Sequence, residues 1–149
     1  MTYQSRITVD PVYLQAVGQA FYNFTYLEWI IIWTIVRLSS NGFESVPKGQ
    51  PASVIAKALT HAIQGTQPPL SASLRQSLVK LDENYRAAIK TRNKLLHAHP
   101  HTAPDGSQQL SGGGYIWPID EVNEAAKLFE DIALLGSELF HGGLTQERP

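Results

Sequence analysis

The run FYNFTYLEWIIIWTIV, Phe21 to Val36, decides how this chain folds. It is the most apolar part of the sequence, and it is 16 residues long. A bilayer span needs roughly 20, and this run carries Asn23 and Glu28 inside it. It also lacks the Lys and Arg that hold a helix at a membrane surface. The remaining reading is a helix buried in a protein core. Phe21, Phe24, Glu28, Ile31 and Ile35 recur at spacings of 3, 4, 3 and 4, which is one face of a helix. Asp10 and Pro11 supply an N-cap and a first helical position. The helix is expected to run from Pro11 to about Leu38, where SSNG stops it at Gly42.

The rest of the chain reads in the same period. A shorter helix is expected from Ala52 to Ile63, broken by GTQPP. A third begins near Ser71 and carries Leu74, Leu78, Leu81, Tyr85, Ala88, Ile89, Leu95 and Leu96. It must end near His99, because Pro100 disfavours helix in the residue before it. His101 to Pro118 reads as a loop with DG and SGGG turns, with short strands at Gln108–Leu110 and Tyr115–Trp117 as a hairpin. The last helix is expected to take Asp120 as N-cap. Its inner stripe is Val122, Ala126, Phe129, Ile132 or Ala133, Gly136 and Phe140, and Gly142–Gly143 stop it. No repeat or linker interrupts residues 1–149, so the expectation is one all-α domain, an antiparallel bundle of four to five helices.

Composition narrows the function. The chain has 149 residues, 43% of them hydrophobic, which suits one domain with its own core. Net charge is −1, so no global field gathers nucleic acid, and any site for a polyanion must be local. There is no cysteine, which removes disulfides, thiolate nucleophiles and Cys-based zinc sites. The first ten residues hold no apolar core of a signal peptide. The expected location is the cytoplasm.

The polar residues on apolar stripes carry the chemistry. The stripe of Leu78, Leu81, Tyr85 and Ile89 continues into Arg92, Asn93 and His97. Arginine is almost never buried without a partner. Glu28 is the matching charge in the first helix, so a Glu28–Arg92 pair between packed helices is expected. The bland alternative is a solvated C-terminal turn whose basic residues suit the helix dipole. His97, His99 and His101 alternate in HAHPH, but helical residues two apart do not share a face, so no metal site is expected. Arg75, Lys80, Arg86, Lys90 and Lys94 offer either a solvated face or a track for phosphates. Tyr115 and Trp117 in SGGGYIWP either stack on a base or pack on the bundle. Trp29 and Trp33 are expected in the core or in a dimer seam.

RNKLLH, Arg92 to His97, fits Arg, four residues, His, with Asn directly after the Arg. Set late in a long helix of a small helical domain, it resembles the HEPN superfamily over roughly Pro11 to Phe140. The resemblance implies a HEPN-like bundle and a metal-independent endoribonuclease that needs no cofactor. It implies Arg92 and His97 as the catalytic pair, with Asn93, Glu28 and His99 in support. Lys90, Lys94, His101, Tyr115 and Trp117 are the expected RNA contacts. HEPN domains commonly dimerise so that two motifs share one cleft. That suits positions five apart, which lie about 140° around one helix. The implied setting is a toxin or antiviral effector, partnered by an antitoxin or a larger defence complex and not by a membrane. The alternative is a non-catalytic HEPN-like module that binds a nucleotide or a partner protein.

Overall fold

The computed structural model describes residues 2–46 and 49–149. Four long helices form the domain: α1 (Pro11–Leu38), α2 (Ala52–Gly65), α3 (Ala72–Leu96) and α4 (Ile119–Leu139). Between α3 and α4 sits a small sheet, β1 (His99–Thr102), β2 (Gln108–Gly112) and β3 (Tyr115–Trp117), paired as an antiparallel meander. A single 3-10 turn, Gly42–Ser45, follows α1. Among the described residues no helix is long and apolar enough to cross a membrane.

The helix ends follow local chemistry. The Asp10 carboxylate accepts the Val12 N–H, and Pro11 opens α1. The Ser71 hydroxyl accepts the Leu74 N–H at the start of α3. The last helix departs from expectation. Pro118 stands at its N-cap position and the helix begins at Ile119, so Asp120 lies within the first turn instead of capping it. Proline's fixed φ starts the turn one residue earlier, and Asp120 and Glu121 then face the positive end of the helix dipole. The chain also does not stop at Gly142–Gly143. Phe140–Leu144 forms a π-type turn with a kink at Gly142, and a closing turn, Thr145–Glu147, follows. The Glu147 carboxylate accepts from the Ser71 N–H and hydroxyl, at 2.8 and 2.7 Å, and so ties the chain end to the start of α3.

Residue contacts give the helix directions. Asn23 reaches the carbonyl of Ala126, Phe24 meets Phe129 edge-on, and Trp33 meets Phe140. Numbers rise together, so α1 and α4 run side by side in the same sense. Leu81 lies beside Gly136 and Leu74 beside Gly143, so α3 runs against α4. The bundle is therefore antiparallel in part only, and the sheet between α3 and α4 helps make the turn between them. A Cβ at Gly136 would stand 3.0 Å from the Ile30 side chain and 3.3 Å from that of Leu81, so glycine is what lets the three helices close here.

The predicted stripes are the buried ones except at their ends: Phe21 is only half-buried, and Leu96, in the last turn of α3, is 45% exposed. Phe24, Ile31 and Ile35 of α1, Leu74, Leu78, Leu81, Tyr85 and Ile89 of α3, and Val122, Ala126, Phe129, Ile132, Ala133 and Gly136 of α4 are all buried. Of the expected hairpin, β2 and β3 form at the predicted places. Their two-residue loop is Gly113–Gly114, both at positive φ (60° and 77°), as a tight hairpin turn requires. β1, expected to be loop beyond His99, pairs with β2 across its whole length. Pro100 is tolerated because β1 is the edge strand. Tyr13 fastens this sheet to α1. Its hydroxyl donates to the Trp117 carbonyl (2.6 Å) and accepts the Leu110 N–H (2.9 Å). Burial raises the Tyr13 phenol's pKa, against a smaller lowering by the Leu110 bond.

Candidate anion site at the end of the third helix

Tyr85, Arg92 and Asn93 stand along the stripe of α3 that faces α1. The Glu28–Arg92 pair does not form. Tyr85 takes the Glu28 carboxylate instead, its hydroxyl donating at 2.8 Å. Tyr85 is fully buried and Glu28 half-buried, so the phenol keeps the carboxylate solvated from within the bundle. The Tyr85 phenol is pushed far above its usual range, first by burial, then by the Glu28 charge and hydrogen bond, with the Arg92 charge opposing. Tyr85 therefore stays a proton donor to Glu28.

Arg92 is left with a neutral neighbourhood. Its guanidinium carbon lies 5.1 Å from the centroid of Phe24, and Nη1 donates to the Asn93 side-chain oxygen at 2.9 Å. Among the described residues, no carboxylate lies within 4.0 Å of it. The side chain is half-buried. An aromatic face and one amide thus fix the orientation of a permanent cation, and most of its five N–H donors stay uncommitted. That arrangement suits a planar, bidentate anion such as a phosphate.

His97 is the C-cap residue of α3, with φ −91° and ψ 3°, and its backbone N–H bonds back to the Asn93 carbonyl. Its ring is exposed. No hydrogen bond joins it to Arg92 or Asn93 among the described residues, and the Asn93 amide oxygen is occupied by Arg92. His99 and His101 follow, both exposed, on β1. Two residues apart on a strand, they project from one face. No group of metal ligands is present among the described residues.

The expected RNA contacts divide. Lys90 and Lys94 are exposed, and Lys94 Nζ sits 5.3 Å from the centroid of the Tyr115 ring. Tyr115 is partly exposed and bonds Glu121 through its hydroxyl. Trp117 is not available for stacking, because the indole is 2% exposed and packs in the core. As an alternating strand, β3 sends Tyr115 and Trp117 to one face, and burial of that face takes the second ring further in than the first. Arg86, among the cations that offered a phosphate track, is committed to protein. It bonds the Asp82 carboxylate, the Thr60 hydroxyl and the Ala56 carbonyl, which fastens α3 to α2.

Two participants escaped the sequence reading: Tyr85 as the partner of Glu28, and Phe24 as the platform under Arg92. The signal for Tyr85 was its place seven residues before Arg92 on the same face. For Phe24 it was its place one helical turn before Glu28. Both had been counted as core, which they also are. Searches against protein-family models, curated proteins and solved structures each return no match to this chain.

Proposed function

We propose that this chain is a metal-independent endoribonuclease of HEPN type, acting on RNA in the cytoplasm. One observation supports the reading above the others. A half-buried arginine, held by a neutral amide and an aromatic ring and paired with no carboxylate among the described residues, stands five residues before an exposed histidine. In the proposed reaction the ribose 2′-hydroxyl attacks the adjacent phosphorus. The new bond is 2′-oxygen to phosphorus, the broken bond is phosphorus to the 5′-oxygen, and the product is a 2′,3′-cyclic phosphate. His97 serves as a proton-transfer group, taking the proton of the 2′-hydroxyl or supplying one to the 5′-oxygen. Arg92 binds the phosphate and the extra charge of the transition state. Asn93 acts through Arg92 by holding the guanidinium. Two copies would complete the site, Arg92 of one with His97 of the other, since the two side chains leave one helix in different directions. A toxin or defence setting, with an antitoxin or larger complex as partner, rests on the resemblance alone.

A second reading has its own observation. The His97 ring has no orienting hydrogen bond among the described residues, and a catalytic imidazole usually has one. That favours a non-catalytic module in which Arg92 holds the phosphate of a nucleotide or of a partner.

The test is incubation of the purified protein with mixed single-stranded and structured RNA in EDTA, with His97→Ala beside it. Cleavage by the wild type alone, leaving cyclic-phosphate ends, is expected. RNA bound but uncut would favour the binding module, and equal cleavage by both proteins would remove His97 from the chemistry.

A further inference from the structure

The solvent face of α1 carries no charge. Of the 28 residues of α1, Glu28 and Arg37 are its only charged ones. Both are half-buried and engaged, Glu28 by Tyr85 and Arg37 by the Arg148 carbonyl and the Phe140 ring. What faces water instead includes Tyr22, 70% exposed, Tyr26, 44%, and Trp29, 49%. With the half-buried Trp33 these are spaced 4, 3 and 4, the seam spacing of two packed helices. Aromatic enrichment with depletion of charge is the composition of an interface core.

We propose that this aromatic stripe is the seam of a symmetric dimer, in which α1 of one chain packs antiparallel on α1 of a second copy. The spacing reads the same in both directions. A two-fold axis between Tyr26 and Trp29 sets Tyr26 against the second copy's Trp29, and Tyr22 against its Trp33. The surface there is shaped for that pairing. A recess of about 390 Å³ lies between α1 and the end of α4, lined by Tyr26, Trp29, Trp33, Arg37 and Phe140 among others. Tyr22, the most exposed ring of the stripe, is the knob that the axis brings to this recess. Aromatic side chains bury roughly 200 Å² each. With about half of each ring exposed, the stripe and Phe43 remove on the order of 1,000 Å² from water when two copies meet, the lower bound for a specific interface.

Charge selects the occupant. A lipid surface or a nucleic acid would call for Lys and Arg around the stripe, and the exposed residues of α1 include none. A neutral surface meets its own copy without repulsion. The stripe also lies more than 90° around α1 from Glu28. A dimer closed here leaves the Arg92 side open, so this contact is separate from one that would bring two RNKLLH motifs together. It does not depend on the ribonuclease reading.

The experiment measures the mass of the full chain by light scattering at micromolar concentration, beside Trp29→Glu and, on the motif side, Lys94→Glu. The wild type is expected at 33 kDa or a multiple, from a chain of 16.5 kDa. Trp29→Glu is expected to raise the dissociation constant of this contact by roughly 30-fold or more, with an unchanged circular dichroism spectrum, and Lys94→Glu to leave it intact. The chain has no cysteine, so cross-linking gives a second readout. A mixture of Tyr22→Cys and Trp33→Cys proteins should form a disulfide-linked pair. Tyr22→Cys alone should not, since its two copies would lie about 16 Å apart along the seam. A monomeric wild type, or an association that Trp29→Glu leaves untouched, overturns the proposal. Loss of cleavage with the dimer intact bears on the ribonuclease reading only.

Discussion

Arg86 and Arg92 lie on the same helix, and they are used in opposite ways. Arg86 is the more exposed of the two, yet it is the one with three acceptors, a carboxylate at 3.1 Å, a hydroxyl at 2.7 Å and a carbonyl at 3.2 Å. Arg92 is more buried and has one neutral acceptor and a ring. Burial normally demands more partners for a charge, not fewer. The inversion separates a structural arginine, which clamps α3 to α2, from one most of whose donors have no partner among the described residues. Glu28, the acid expected to close the second site, is occupied by Tyr85.

The comparison can be broken at its platform first. Phe24 supports Arg92 and also sits in the core against Tyr85 and Phe129. Phe24→Ala should cost about 3–5 kcal/mol of unfolding free energy in denaturant titration. A loss below about 1 kcal/mol would mean that the ring is not packed as described. The two arginines come next. Arg86→Ala should cost about 1–2 kcal/mol, because it removes three bonds, two of them from α3 to α2, and leaves the half-buried Asp82 carboxylate with the Thr60 hydroxyl alone. Arg92→Ala should cost less than about 1 kcal/mol, the value of a single cation–π contact and one hydrogen bond to its neighbour. Equal losses would erase the distinction.

Tyr85→Phe sharpens the account of Glu28. Removing the hydroxyl leaves a half-buried carboxylate without its donor and should cost about 1–3 kcal/mol. It also frees Glu28 to draw Arg92 away from its amide. The effect of pH is smaller and has a fixed sign. The folded-state pKa of Tyr85 lies above its unfolded value of about 10, and that of Tyr13 is raised as well. Below pH of about 10 their contribution is fully present. Above it the unfolded chain releases protons that the folded one keeps, so stability falls as pH rises. The alkaline slope should be shallower in Tyr85→Phe. A stability that is flat above pH of about 10 in the wild type would contradict the buried, neutral phenol.

The first, third and last helices were readable because each has a stripe of period 3.6. Asp10–Pro11 and Ser71 start α1 and α3, and the stripes of α3, short of Leu96, and of α4 are the buried ones. Where signals compete, the reading shifts. Asp120 resembles a cap, but Pro118 begins the helix first. HPHT reads as loop because Pro100 and the histidines carry no strand pattern, and β1 forms because β2 offers it an edge. The parallel pairing of α1 with α4 follows from which stripes meet, and a single helix's period says nothing of that. The site was half legible. The motif lay in the sequence, and so did the surplus charge of Glu28. That Tyr85 would intercept Glu28 depends on the distance between two helices, which spacing along one chain does not contain.

The most direct test of the distinction between the two arginines is RNA cleavage in EDTA by wild type, Arg92→Ala and Arg86→Ala, with thermal melting of all three. The account predicts that Arg92→Ala loses cleavage by roughly 100-fold or more and melts close to wild type, while Arg86→Ala melts lower and still cleaves. Cleavage that survives in Arg92→Ala, or that falls only in step with the melting temperature in both variants, would contradict it.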